Sequence, residues 1–248
     1  MDNGTRPFIS VRGLYKSFNG KPVLQGVDLD VGEGETLVVL GGSGEGKSVL
    51  LRHINGLLMP DRGEVCVDGR SLPGLTEDEL FAVRKQVGMV FQLGALFDSL
   101  SVFDNISYPL REHGNLSEQR IRARVSELLA MVDLEGVEQL YPAELSGGMR
   151  KRVALARAIA LEPRALLYDE PTTGLDPIVT HHVNLLIRSL QKRLCFTSVV
   201  VTHDLKSAFV VGDRFALLDH GRIRFVGTAD EVHSTRDELM QQFLKAAL

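Results

Sequence analysis

Gly41-Gly42-Ser43-Gly44-Glu45-Gly46-Lys47-Ser48 stands between the apolar run 36–40 and the helix-like Val49-Leu50-Leu51-Arg52-His53-Ile54. A strand, a glycine-rich turn spaced G-x-x-x-x-G-K-[ST] and a helix start, in that order, predict a phosphate-binding loop in an α/β fold. A triphosphate is a flexible polyanion, and a chain wraps it only where side chains do not obstruct. The glycines let backbone N–H groups converge on the phosphates, and the helix start adds favourable partial charge. Lys47 is then expected to reach the β- and γ-phosphates of ATP, and the Ser48 hydroxyl to hold Mg2+. The bland alternative, a glycine-rich turn with a chance Lys-Ser after it, leaves the matching flanks unexplained.

The second half of such a site is an acidic strand end, and Ala165-Leu166-Leu167-Tyr168-Asp169-Glu170 supplies one. The apolar residues bury the strand, which sets Asp169 beside Mg2+ and Glu170 where it can orient and polarise the attacking water. Phosphoryl transfer depends mainly on positioning and charge stabilisation, and a placed general base adds roughly 10²–10⁴-fold. Taken alone, a carboxylate-bearing turn at a strand end is as common for structural reasons. A third segment, Leu145-Ser146-Gly147-Gly148-Met149, runs into Arg150-Lys151-Arg152-Val153-Ala154-Leu155-Ala156-Arg157-Ala158. Ser146 can cap a helix there, Gly147 and Gly148 expose N–H groups, and the Ala-rich continuation propagates it. Such an end attracts anions, although many helices start with Ser or Gly simply as a cap.

Around these motifs strand and helix patterns alternate. Phe8-Ile9-Ser10-Val11 and 23–31, where Val27, Leu29 and Val31 alternate with Asp28 and Asp30, predict strands,. Val65-Cys66-Val67 leads into a turn at Asp68-Gly69. Thr76-Glu77-Asp78-Glu79 is a capping box ahead of Leu80, Phe81 and Val83. Ser117 can cap a helix with Ile121, Val125, Leu128, Leu129 and Val132 on one face, ending before Gly136. From about 93 to 163 the pattern is mainly helical, which predicts a helical lobe inserted into an α/β core. Then follow a strand at 165–168 and a helix over 178–194 with Val183, Leu186, Ile187, Leu190 and Leu194 inward. A strand at 196–202, a short helix from Asp204, a hairpin around His220-Gly221 and the capping box Thr228-Ala229-Asp230-Glu231 complete the chain. Alternation of this kind predicts a mainly parallel core sheet.

The 248 residues are 44% hydrophobic and 24% charged, an ordinary globular balance,. Lys and Arg total 28 against 32 Asp and Glu, so no basic footprint for nucleic acid is present. Cys66 and Cys195 are far apart, with no Cys or His at metal-ligand spacing, which suits a reducing compartment. The start of the chain has neither a basic run nor an apolar stretch, so no signal peptide is expected. Apolar runs such as Leu37-Val38-Val39-Leu40 fall far short of the about 20 residues a bilayer requires.

In combination and order these motifs resemble the ABC (ATP-binding cassette) ATPase family over nearly the whole chain. The resemblance implies an α/β P-loop NTPase with a RecA-like core, a mainly parallel sheet and an N-terminal antiparallel β-subdomain, formed by 1–92 and 164–248. An inserted α-helical signature subdomain, 93–163, completes a single ABC ATPase domain. It makes 145–149 the signature, through which Ser146, Gly147 and Gly148 contact the γ-phosphate bound to the opposite subunit of a homodimer. Gln92, after Val90-Phe91, matches the loop that senses Mg2+ and the attacking water. Gly174-Leu175-Asp176 matches the segment that puts Asp176 near the dimer interface, and His203 in Val201-Thr202-His203-Asp204 matches the switch histidine on the γ-phosphate. A lone His after a strand, or a lone Gln in a loop, usually carries no such meaning. Phe18 is similar in spacing to the aromatic that stacks on adenine. Tyr15 is close by, and either ring could equally belong to the core.

The stretch after Gln92, Leu93-Gly94-Ala95-Leu96-Phe97 through Tyr108-Pro109-Leu110-Arg111-Glu112-His113, resembles the ATPase of maintenance-of-lipid-asymmetry (Mla) and other MCE-type phospholipid transporters. Its apolar residues could form a socket for a permease helix or could be lobe core. The Mla likeness implies a membrane permease, an MCE-domain lipid-binding protein and a small accessory protein as partners. It also implies a cytoplasmic protein, peripheral on the inner membrane. Gly42 stands where many relatives carry proline, and no extended tail follows Leu248, which puts tail-mediated dimer contacts in question. Competing classes are an importer ATPase for a small polar solute and a soluble ABC protein acting in translation or DNA repair.

Overall fold

Every residue of β3 (Thr36–Leu40) is buried, as a strand covered on both faces must be. In this computed structural model, which describes residues 6–114 and 116–247, β3 sits inside a six-stranded sheet. The order is β10 (Arg222–Thr228), β9 (Arg214–Asp219), β3, β8 (Thr197–Thr202), β7 (Ala165–Asp169) and β6 (Val87–Val90). All neighbours are parallel except the β9–β10 hairpin. Because side chains alternate across a strand, Val38, Leu40, Leu166, Tyr168 and Val200 enter one hydrophobic cluster. Leu37, Val39, Leu167, Val199 and Val201 enter another on the opposite face.

The second cluster is closed by Leu50, Leu51 and Ile54 of α1 (Lys47–Ile54) and by a four-stranded antiparallel sheet. That sheet runs β2 (Lys21–Val31), β1 (Ile9–Phe18), β4 (Arg62–Val67) and β5 (Arg70–Ser71). β1 extends well past the Val11 expected from the sequence. Its register shifts between Val11 and Leu14, and such a bulge breaks the period-2 pattern on which the shorter reading rested.

The first cluster is covered by α3 (Val102–His113), α4 (Glu118–Met131), α5 (Gly147–Ala158), α6 (Pro177–Leu194) and α7 (Leu205–Val211). Three of these, α3 to α5, lie in the chain between the paired strands β6 and β7. α2 (Glu77–Gln86) starts at the Thr76–Glu79 capping box, and Ser117 caps α4. α8 (Ala229–Ser234) starts at the second box, and α9 (Glu238–Ala247) closes the described chain. One expectation for α6 fails. Val183, Leu186, Ile187 and Leu190 are buried, but Leu194 is 38% exposed. The helix stops at Leu194 as Cys195 turns left-handed, so the last member of the stripe lies beyond the core edge. Gln191 is buried instead, its amide donating to the Gly34 and Phe196 carbonyls at 2.6 and 3.4 Å. The expectation of no signal peptide concerns the chain start, of which residues 1–5 lie outside the described residues, as does Leu248.

The 93–113 segment divides between its two readings. Val102, Ile106 and Leu110 are core, whereas Phe97 and Tyr108 are exposed and Leu93 is 89% exposed. Asn105, fully buried, accepts from the Phe97 N–H at 2.9 Å and donates to the carbonyls of Phe97, Leu100 and Ser101, each at 3.1 Å. One amide side chain thus fixes the loop that precedes α3.

Candidate functional site

The glycine loop follows the carboxyl end of β3 and opens α1, where ligands meet parallel α/β sheets. Gly46 caps the helix at φ 98°, a conformation that favours glycine. Gly41 is required for another reason, since a Cβ there would meet the Leu218 carbonyl oxygen at 2.5 Å. The Glu45 carboxylate accepts the His220 backbone N–H, so only the backbone of this residue belongs to the loop's inner surface. Glu45, Asp219 and His220 bring three potential metal-ligand atoms within 4.8 Å. Glu45 is committed to that backbone bond, and Asp219 pairs with Arg224 at 3.1 Å.

A cavity of about 1180 Å³ opens over the loop, lined by Gly42, Ser43, Gly44, Gly46, Lys47, Ser48 and Val49 with Gln92, Glu170 and His203. Lys47 is buried and donates to the Gly41 and Gly42 carbonyls at 2.9 and 2.8 Å. Its Nζ lies 3.6 Å from Glu170 Oε1. The Ser48 hydroxyl donates to Asp169 Oδ1 at 2.6 Å, joining helix start to strand end. These two oxygens are hard donors of the kind Mg2+ prefers, and Asp169 is buried. The donor chemistry therefore fits Mg2+.

Glu170 has a left-handed backbone, φ 48°, an uncommon state for a residue with a Cβ. Its N–H donates to the Val201 carbonyl at 3.0 Å, which holds the turned backbone against β8. Its carboxylate accepts from Thr173 Oγ1 at 3.1 Å and lies 2.9 Å from His203 Nδ1. The side chain of His203 remains 60% exposed. A nearly buried carboxylate is thus held between a lysine, a histidine and a hydroxyl.

Phe18, Ser146, Gly147, Gly148 and Asp176 do not line this cavity. Ser146 caps α5, accepting from the Met149 N–H at 3.2 Å. Asp176 caps α6, accepting from the Ile178 and Val179 N–H groups at 3.0 Å. Tyr15 and Phe18 are both partly exposed on β1. A Cβ at Gly26 would meet Tyr15 Oη at 2.8 Å, so that ring is packed over β2.

Sequence reasoning missed Val23, Lys206 and Phe243, which also line the cavity. They converge from β2, α7 and α9 and carry no spacing that ties them to the loop. Lys151 was also missed. It is buried, and its ammonium donates to the Gln92 carbonyl. Burial pushes the Lys151 ammonium down from the usual lysine range, against the opposing charges of Glu170 and Asp169,. Burial likewise pushes the Tyr168 phenol up.

A glycine loop between a buried parallel strand and a helix, with a Ser–Asp pair at its foot and a clamped glutamate beside it, defines a P-loop nucleoside triphosphatase. The chain belongs to the family described as ABC transporter, which residues 24–173 match, and it is an ATP-hydrolysing cassette of that family. It is 41% identical to the intermembrane phospholipid transport system ATP-binding protein MlaF of Haemophilus influenzae, over 96% of this chain and 90% of that protein. It is also 41% identical to a "Probable ribonucleotide transport ATP-binding protein mkl" of Mycobacterium leprae, over 95% of this chain and 68% of that one. Against the Mycobacterium tuberculosis mkl proteins the chain spans 66% of their length. Among solved structures, the ATP-binding cassette MJ0796, a dimer bound to ADP and Pi, matches with TM-score 0.82 and 34% identity, over 89% of this chain and 98% of that one. Among the described residues no helix is long and apolar enough to cross a membrane.

Proposed function

We propose that this chain powers phospholipid transport through a bacterial cell envelope, as one of two head-to-tail ATPase subunits on the cytoplasmic face of a permease in the inner membrane. The observation that carries the motor is the convergence of Lys47, Ser48, Glu170 and His203 at one cavity, with Asp169 behind Ser48 and hydrogen-bonded to it. The cargo reading rests on the likeness to MlaF, of which the chain spans 90%.

In this reading Lys47 exchanges its two loop carbonyls for the β- and γ-phosphates of ATP. Ser48, Asp169 and Gln92 hold Mg2+, which when bound neutralises phosphate charge. Glu170 accepts a proton from the attacking water, and His203 positions that carboxylate before meeting the γ-phosphate. Ser146, Gly147 and Gly148 present N–H groups to the nucleotide of the other subunit, which accords with their position outside the cavity of their own, and Asp176 lies near that contact. Phe18 stacks on adenine, because it flanks the Asn19-Gly20 turn of the β1–β2 hairpin, paired with Lys21, which is two residues from the cavity-lining Val23, whereas Tyr15 is engaged with Gly26. The division into a core (1–92 and 164–248) and a helical subdomain (93–163) supplies the hinge that nucleotide closure needs.

The permease socket is a groove of about 460 Å³ beside Gln92, edged by the exposed rings of Phe81, Phe97 and Tyr108, by Leu57 and by Arg84, Lys85 and Arg157. Aromatic and arginine side chains around an apolar floor suit a protein helix. An MCE-domain protein and a small accessory protein complete the assembly.

A polar cargo is a second reading, favoured by the name of the M. leprae relative. Gentle extraction of the tagged subunit from native membranes, with mass spectrometry of what co-purifies, separates the two. A permease, an MCE-domain protein and enriched phospholipid support lipid transport. A permease with a solute-binding protein and no lipid enrichment overturns the cargo and keeps the motor.

A further inference from the structure

Five residues into α5, past the Ser146 cap, Lys151 turns inward rather than to solvent. It is only 8% exposed, and its ammonium donates to the Gln92 carbonyl. Glu170 and Asp169 act on it as nearby charges, without bonding to it. Six residues on, Arg157 donates from Nη2 to the Gly94 carbonyl at 2.9 Å. Between them the loop lies directly on the helix, since a Cβ at Gly94 would meet Ala154 Cβ at 3.4 Å and the Arg150 carbonyl oxygen at 3.7 Å. Lys151 and Tyr168 also line a small cavity of about 10 Å³ with Val90 and Leu155. A space of that size admits a single water. The Tyr168 hydroxyl has no protein partner among the described residues. Lys151 is therefore the point at which α5, the Gln92 loop and β7 meet.

Burying an ammonium is costly unless its hydrogens find acceptors. A lysine kept in this place performs a task that an apolar residue packed there would not. We propose that Lys151 is a positioning residue that ties the Gln92 backbone to α5, so that Gln92 in a subunit's own nucleotide cavity moves with that subunit's Ser146–Gly148 end. This rests on the sandwich-dimer reading, in which the Ser146–Gly148 end faces the nucleotide of the other subunit. Engagement of one nucleotide is then reported to the Gln92 of the other site through a single rigid helix, the two-site link that cooperativity requires.

The test compares wild type, Lys151→Met and Lys151→Arg. Hydrogen exchange is read at the Gly94 and Phe97 amides, which donate to the Phe91 carbonyl and to Asn105 Oδ1. Lys151→Met is expected to speed their exchange about tenfold or more, as loss of a charge-assisted hydrogen bond implies, while α1 and β7 keep their protection. In the assembled transporter it should lower kcat about tenfold with KM for ATP within about twofold, and bring the Hill coefficient to about 1. Lys151→Arg should restore both. Unchanged exchange at Gly94 and Phe97, or faster exchange spread through α3 to α5, overturns the proposal. If instead the Gly148 and Glu170 variants described below show no composite ATP site, the dimer reading falls while the exchange result still reports on the tether.

Discussion

Asn105→Ala removes the fully buried amide that organises residues 97–101. Five hydrogen-bonding contacts are lost: Oδ1 accepts from the Phe97 N–H and from Arg157 Nη1, and the two Nδ2 hydrogens are shared among the carbonyls of Phe97, Leu100 and Ser101. Carbonyls retain second lone pairs, and the exposed loop can reach water, so the five contributions do not simply add. An orphaned N–H beside the core costs about 1–3 kcal/mol, and each net bond about 0.5–1.5 kcal/mol. Together with the small void at Asn105, destabilisation of about 2–4 kcal/mol is expected. For a chain of this size that lowers Tm by about 4–16 °C. Urea unfolding followed by far-UV circular dichroism gives the free energy directly, and an unchanged m-value shows that the loss is native-state. The loop also edges the proposed permease socket through Phe97, so permease-stimulated turnover should fall more than basal turnover. A loss below about 0.5 kcal/mol would refute the claim that this side chain sets the loop.

Gly148→Ala places a methyl 2.5 Å from Val179 Cγ1 and should cost about 1–3 kcal/mol of stability; adding Val179→Ala should recover the stability. In the proposed dimer the N–H groups at the α5 start reach the partner nucleotide, so in equilibrium sedimentation Gly148→Ala alone should lose the ATP-dependent dimer. Phe18→Ala should weaken ATP binding by about 1–3 kcal/mol through lost stacking, and Tyr15→Ala by much less, read by titration with a fluorescent nucleotide; the reverse order assigns the stack to Tyr15. Burial holds the His53 imidazole below the usual histidine pKa of 6.5. The unfolded chain therefore binds the proton first, and the stability this site supplies is present above about pH 6.5 and lost as pH falls toward the folded pKa. The stability gap between wild type and His53→Gln should accordingly narrow from pH 7.5 to pH 5 in urea titrations, and a constant gap removes His53 from the acid response.

The motor was legible in the sequence because its parts are local. Gly41 to Ser48 is contiguous, and its flanking runs announce a strand and a helix. The capping boxes at Thr76 and Thr228 are self-contained four-residue devices, and both stand in the structure where the residues placed them. What stayed hidden is what the tertiary fold assembles. The Val11–Leu14 bulge erases the alternation that marks β1 as one strand. Leu194 continues the stripe of α6 by spacing, yet falls outside because the helix ends there. Lys151 is charged, and nothing in its neighbours tells that it turns inward to the Gln92 loop, 59 residues away in the chain. Phe243 reaches the cavity only because α9 returns beside α7. Asp176, read for a dimer contact, is at the same time a helix cap, and pattern alone does not separate these roles.

In the proposed mechanism Glu170, held among Lys47, Thr173 and His203, is the residue on which ATP hydrolysis at a composite site turns. The direct measurement is steady-state ATPase activity of Glu170→Gln together with light scattering and nucleotide content after incubation with Mg-ATP. The account predicts turnover reduced at least about 10²-fold, and a stable dimer retaining uncleaved ATP at a stoichiometry near one per subunit. Near-wild-type turnover, or a monomer without bound nucleotide, would contradict it.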